Sequence, residues 1–289
     1  MRSPAIAVTL TACIIAACVC AQTPPGEKAQ APPPSVNDQA KAESPLDSQR
    51  TLRVISAFDS PPFAYKKGIT RSGFEVDLIE ALARELGAKV GWVEMNFNIN
   101  MYASALDRGS ADAAISSISI TPDRKEKIAF SHPYYRASFA VAVKKDVDWQ
   151  HNWFTSGLKG WKVGVMRNTT AESWARKNLD ANVETYASID RLAQALKNSK
   201  GALKSGRAGF CIMHDEAILK WVLSDYSYHF EIVERKIAQE DYGIAVSKGN
   251  TKLLTELNAA LEKLRANGTY KKLRTKWYRQ AEDLPLFNE

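Results

Sequence analysis

Beyond its first 20 residues this 289-residue chain carries one cysteine, Cys211, so the body of the protein can form no internal disulfide. Its four histidines, His132, His151, His214 and His229, show no metal-ligand spacing, and no Gly-x-Ser-x-Gly elbow occurs. No cofactor or metal is expected on these grounds. Basic residues never gather into a block: 39 Lys and Arg against 32 Asp and Glu leave a net charge of +7 spread along the chain, which argues against a nucleic-acid surface. The rest of the composition, 45% hydrophobic and 25% charged, is ordinary for a globular protein and excludes wholesale disorder. The length suffices for two lobes of roughly 100 to 150 residues, each with its own core.

Charge is also absent from Ser3 to Gln22, an apolar stretch preceded by Arg2 and followed by Pro24-Pro25. It reads as an export signal over residues 1–21 and not as a spanning helix. Two cleavage styles fit. Ile15-Ala16-Ala17-Cys18 has the pattern of a lipoprotein box, cleaved before Cys18 and lipidated on its thiol, and Leu10-Thr11-Ala12-Cys13 fits less well; Val19-Cys20-Ala21 suits ordinary signal peptidase. Residues 22–50 hold six prolines among Ala, Gln, Ser and Lys with few apolar anchors, the composition of a disordered tether, which favours the lipoprotein form. The body is thus expected in the periplasm or on the extracytoplasmic face, free or anchored through Cys18.

From Leu52 the pattern changes. Leu52-Arg53-Val54-Ile55 is a short strand, and Phe74, Leu78, Leu82 and Leu86 recur every fourth residue along a helix from Gly73 to Leu86, stopped by Gly87. The layout restarts at the strand Lys162–Met166, after which Thr169 and Glu172 offer a capping box. Leu106–Ile115 and Leu203–Ile212 echo each other as helix end, turn glycine and strand. Strands alternating with helices predict an α/β fold with two similar lobes. The stretches Phe139–Val143 and Tyr242–Val246 are expected to carry two crossings, so that residues 51–141 and 240–289 form lobe 1 and residues 142–239 lobe 2. The helix Thr251–Ala266, with Leu253, Leu257, Leu261 and Leu264 on one face, then closes lobe 1.

The junction after Ile115 has a chemistry of its own. Thr121-Pro122 marks a helix N-terminus, which presents backbone donors and a positive dipole end to an anion. Arg124, one turn on, can grip a carboxylate with its planar fork, or lie on the surface in an Arg-Lys-Glu-Lys run. Ser117 and Ser119 stand beside it. Thr170 either caps its helix or meets a ligand, and Asp215, at the carboxyl end of a strand, either caps a helix or faces the site that open α/β sheets place there. Asp59 is either a turn residue or a partner for a cation.

Gly73-Phe74-Glu75-Val76-Asp77-Leu78, Ser116–Arg124 with Lys127–Ser131, Asp241–Val246 and Asn267-Gly268-Thr269-Tyr270 occur in an order that resembles the family 3 extracellular solute-binding proteins, the amino-acid receptors of ABC importers. The resemblance covers residues 51–280. It implies a type II periplasmic-binding-protein fold, two lobes of mostly parallel sheet flanked by helices, which close on a small zwitterion and deliver it to a membrane permease. It also implies that Ser117, Ser119, Arg124 and Thr170 hold the ligand's α-carboxylate and α-amino ends and that Asp215 binds the ammonium. Where family members stack the ligand between aromatics this chain has Ser60 and a residue near Ile99 or Phe97; Phe58, Phe63 and Tyr65 can restore an aromatic wall or belong to the core. The protein is expected to be a monomer and not an enzyme. The alternative is a cyclohexadienyl dehydratase on the same fold, with Glu240 as the acid.

Overall fold

In the computed structural model, the structure describes residues 50–200, 208–224 and 229–278. The export signal, Cys18, all of the tether but Arg50, and residues 203–207 of the internal echo lie outside the described residues. The chain runs β1 (Arg50–Ser56), β2 (Asp59–Ser60), β3 (Ala64–Lys67), β4 (Thr70–Ser72), α1 (Phe74–Glu85), β5 (Ala88–Glu94), α2 (Ile99–Asp107), β6 (Ala113–Ala114), α3 (Pro122–Lys125), β7 (Ala129–Phe130) and β8 (Tyr135–Lys144). It continues as α4 (His151–Thr155), β9 (Lys162–Met166), α5 (Thr170–Asn178), β10 (Asn182–Tyr186), α6 (Ile189–Asn198), β11 (Phe210–Asp215), α7 (Glu216–Val222), β12 (Phe230–Tyr242), β13 (Ala245–Val246), α8 (Thr251–Ala266) and α9 (Thr269–Trp277).

Two five-stranded sheets carry the fold, in the orders β5-β1-β6-β13-β7 and β10-β9-β11-β8-β12, beside a small β2-β3-β4 sheet. Each large sheet is parallel on one side and antiparallel on the other. β1 pairs in parallel with β5 and β6, whereas β13 runs against β6 and β7. Likewise β9 pairs in parallel with β10 and β11, whereas β8 runs against β11 and β12. The antiparallel members are the strands that flank the passages between sheets. Residues 135–141, expected with lobe 1, pair with β11 and β12 of the second sheet, in a register that begins at Tyr135↔Tyr242.

Helix α1 forms where the four-residue apolar spacing predicts it, and Phe74, Leu78 and Leu82 are fully buried. Its start depends on Gly73, whose φ of 133° suits glycine alone; a Cβ there would lie 2.0 Å from the Phe63 carbonyl oxygen. Helices α8 and α9 both pack against α1, and α8 buries Leu253, Leu257, Leu261 and Leu264 in the shared core. Cys211 is wholly buried in the second sheet, and burial pushes its thiol pKa far up, so it is an apolar wall and not a nucleophile. Among the described residues, no helix is long and apolar enough to cross a membrane.

Candidate functional site

The loop after β6 supplies one wall. Ser116 Oγ accepts from Ala57 N at 3.2 Å and pins the loop to the end of β1. Ser117 adopts a left-handed φ of 49°. Ser119 bridges to Tyr242, and Gly243 N donates to Ile118 O at 3.1 Å, so the loop is held by the strand passage as well as by its own sheet. Thr121 caps α3 by accepting from Arg124 N. That helix is one turn of four residues, too short for much of a dipole, so the positive charge at this wall is chiefly the guanidinium itself. Arg124 Nη1 donates to Ser119 O at 3.1 Å, and the guanidinium carbon stands 5.5 Å from the Phe97 ring centre. Burial lowers its pKa and the nearby Glu240 carboxylate opposes that; a guanidinium keeps its charge regardless.

The facing wall comes from two strand ends of the second sheet. After β9, Thr169 caps α5: its Oγ1 accepts from Glu172 N at 3.3 Å, while Glu172 Oε2 accepts from Asn168 N at 2.9 Å, one residue short of the reciprocal bond in a standard capping box. Thr170 is then the first helical residue. Its hydroxyl donates to Glu240 Oε2 at 2.6 Å, and Ser119 Oγ donates to the same oxygen at 2.7 Å. Glu240, from β12, therefore joins the two walls. After β11, Asp215 caps α7 by accepting from Ile218 N at 3.0 Å and also accepts from Tyr242 Oη at 3.1 Å. It is only 2% exposed. Burial pushes its pKa up to about 7, against the opposing pull of the Ile218 N–H and the Tyr242 hydroxyl.

His214 lies beside Asp215, buried at the same strand end. Its Nδ1 accepts from Asp215 N at 2.8 Å, and burial lowers its pKa to about 4. The ring is therefore neutral with its proton on Nε2, which is buried without a protein partner.

These walls enclose a cleft of about 450 Å³, part of it open to solvent. Asp59, Ser117, Ser119, Arg124, Thr170 and Asp215 all line it. Phe63 does not. Its ring is fully buried, edge-on to Tyr135 at 4.8 Å and near Tyr242 and Tyr278, which leave it room in the core. Phe58 instead packs against Trp92 at 5.0 Å, and Tyr65 faces Trp221 at 5.8 Å. The cleft's aromatic members are Phe97, Phe139 and Tyr242. Reading the sequence passed over His214, Met166 and Ile218 as lining residues; the position of His214 beside Asp215 at a strand end was the available signal. Asp59 has its pKa raised, first by burial and also by Asp190, while the Ser60 hydroxyl counteracts this. Among the described residues no cluster of three or more His, Cys, Asp or Glu could hold a metal ion.

Comparison with known proteins settles the lineage. The family described as bacterial extracellular solute-binding proteins, family 3, matches residues 52–280. The chain belongs to that family. An L-arginine-binding protein of Pseudomonas aeruginosa is 31% identical over 234 residues, 80% of this solute-binding protein and 89% of the relative. A solved ancestral arginine-binding protein bound to glutamine is 35% identical, with a TM-score of 0.68 over 79% of this chain and 97% of that one. An ancestral amino acid-binding protein, a precursor of cyclohexadienyl dehydratase, is 33% identical, with a TM-score of 0.69 over 79% of this chain and 95% of that one. The architecture is that of the type II periplasmic binding proteins.

Proposed function

We propose that this solute-binding protein captures an amino acid with a cationic side chain and presents it to an ABC permease. One observation carries the reading: a buried guanidinium, Arg124, and a buried carboxylate, Asp215, line opposite walls of one cleft. A zwitterion matches that polarity, its carboxylate against Arg124 and its ammonium against Asp215. Asp59 supplies a third charge in the same cleft, and Asp190 adds negative potential to it. That acidic end suits a guanidinium or ammonium side chain, in keeping with relatives named for arginine. A micromolar affinity requires about 8 kcal/mol net, within reach of two charge-assisted clusters in a dried cleft.

A ligand that touches both walls binds the closed arrangement better than an open one, so binding shifts the population toward closure. In this reading the first sheet and its helices move as one lobe, and the second sheet, which takes in residues 135–141 and the end of β12, moves as the other. Cys18 carries the lipid anchor, and the protein works as a monomer.

The test is isothermal titration of the wild type and Arg124→Ala with L-arginine, L-lysine, L-histidine and L-glutamine. The wild type binds at least one of the cationic amino acids, and Arg124→Ala loses roughly 30-fold or more, as truncation of a buried charge partner does. A variant that binds as tightly as the wild type ends the reading. Glu240, held by Ser119 and Thr170, is the one observation that favours a dehydratase instead. Conversion of prephenate to phenylpyruvate that is lost in Glu240→Gln would establish that alternative.

A further inference from the structure

Glu75, the second residue of α1, is a fully buried carboxylate that does not line the cleft and that the reading above leaves unused. Its Oε1 accepts from Ser117 N at 2.7 Å, from Ser117 Oγ at 3.1 Å and from the Tyr134 hydroxyl. Its Oε2 is buried without a protein partner. Ser117, by contrast, lines the cleft and sits at a left-handed φ that L-residues seldom adopt without something to hold them there. Two of its own donors end on one carboxylate oxygen 42 positions earlier in the chain.

We propose that Glu75 is a positioning residue for the ammonium subsite: by taking the Ser117 N–H and the Ser117 hydroxyl proton, it fixes the loop and leaves Ser117 Oγ only lone pairs to offer the ligand. A serine hydroxyl is ordinarily both donor and acceptor. Once its proton is committed to Glu75, Ser117 Oγ favours a donor such as an ammonium group and disfavours a carboxylate. The buried negative charge behind it polarises the same bond in the same direction. This proposal rests on the reading that the ligand carries an α-ammonium.

The surroundings suit that role. Tyr134 and Ser117 donate to Glu75, the charge of Asp59 adds to the rise in its pKa, and the Glu75 charge in turn raises the pKa values of Tyr102, Tyr134 and Tyr278. The first turn of α1 supplies a partial positive charge. Burial pushes Glu75 up to about 7, with Tyr134 and Ser117 opposing, so its charge is present in full only above neutrality.

The test is a two-by-two titration of the wild type and Glu75→Gln with L-arginine and with 5-guanidinopentanoate, the same molecule lacking the α-amino group. Glu75→Gln weakens L-arginine about tenfold and 5-guanidinopentanoate less than twofold. Equal weakening of both, or of neither, overturns the proposal. If Glu75→Gln does not fold, Ser117→Ala replaces it and shows the same selective loss, because it removes the hydroxyl but leaves Glu75 its other two donors. A readout free of ligand separates this proposal from the functional one: the Ser117 amide proton shifts in NMR spectra as pH passes through about 7, and Glu75→Gln abolishes that shift. A wild type that binds neither probe counts against the functional reading alone, and the amide titration then decides whether Glu75 holds Ser117; an amide that does not respond overturns the positioning claim.

Discussion

Replacing Asp215 by asparagine separates what the residue does for binding from what it costs the empty protein. Burial raises this carboxyl from an ordinary 3.8 to about 7 in the folded state. In the unfolded chain it ionises near pH 4, so between those limits the folded protein holds a proton that the unfolded chain has lost. Stability accordingly falls as pH rises through that window, and the penalty is complete above about pH 7. A gap of about three units, at about 1.4 kcal/mol each, amounts to about 4 kcal/mol at pH 8 and vanishes below pH 4. Asparagine is neutral throughout. It keeps an oxygen for Ile218 N but must turn its amide toward Tyr242 Oη, which forfeits about 1 kcal/mol. A net gain of about 3 kcal/mol at pH 8 corresponds to a melting temperature higher by about 6–12 °C. The gain is gone before pH falls to 4, where the lost Tyr242 contact leaves the variant about 1 kcal/mol less stable than the wild type; affinity for L-arginine falls by about two orders of magnitude because the ammonium has lost its counter-charge. Thermal melts by circular dichroism at pH 4, 6 and 8, with and without ligand, read both effects. Glu75 contributes the same pH slope to both proteins, so their difference isolates Asp215. A variant no more stable at pH 8 than the wild type, or one that binds L-arginine undiminished, refutes the reasoning.

Two further substitutions bear on other parts of the molecule. Glu240→Gln removes the charge that shares the Ser119 and Thr170 hydroxyls and faces Arg124; calorimetry should show L-arginine bound about three- to tenfold more tightly, and weaker binding would count against Glu240 as a competitor for the ligand carboxylate. Gly73→Ala places a methyl group 2.0 Å from the Phe63 carbonyl at a φ of 133°, and urea denaturation should show a loss of about 2–4 kcal/mol; an unchanged midpoint would mean that α1 does not depend on this close approach.

The legible parts of this protein are those in which a local rule and the tertiary structure agree. Helix α1 and the strand Lys162–Met166 stand where periodicity places them, because Phe74, Leu78 and Leu82 need one apolar face and Val163 and Val165 a buried strand. Helix α8 occupies Thr251–Ala266 for the same reason. The long antiparallel pair was harder to read. β12 runs for 13 residues, with register shifts and left-handed φ values at Lys236 and Ala238, so its apolar residues keep no period of two. Its end at Tyr242 and the separate strand Ala245–Val246 replace the single strand that the Tyr-Gly-Ile-Ala-Val run implies.

At the site, the polar cleft residues share a visible logic: short hydroxyls, an arginine and a carboxylate at strand ends and helix starts. Phe63 lacks that logic. An apolar ring beside a cleft can face either way, and the choice here is made by room among Tyr135, Tyr242 and Tyr278, residues far away in the chain. The partnership of Glu75 with Ser117 was hidden for the same reason, since it joins a helix start to a loop through the folded interior.

The most direct test of the clamp is a crystal structure of the protein with L-arginine bound. It should place the ligand carboxylate within about 3 Å of the Arg124 guanidinium and the ammonium within about 3 Å of Asp215, with the side chain directed to Asp59. A ligand lying with its carboxylate toward Asp215, or touching neither residue, would contradict the account.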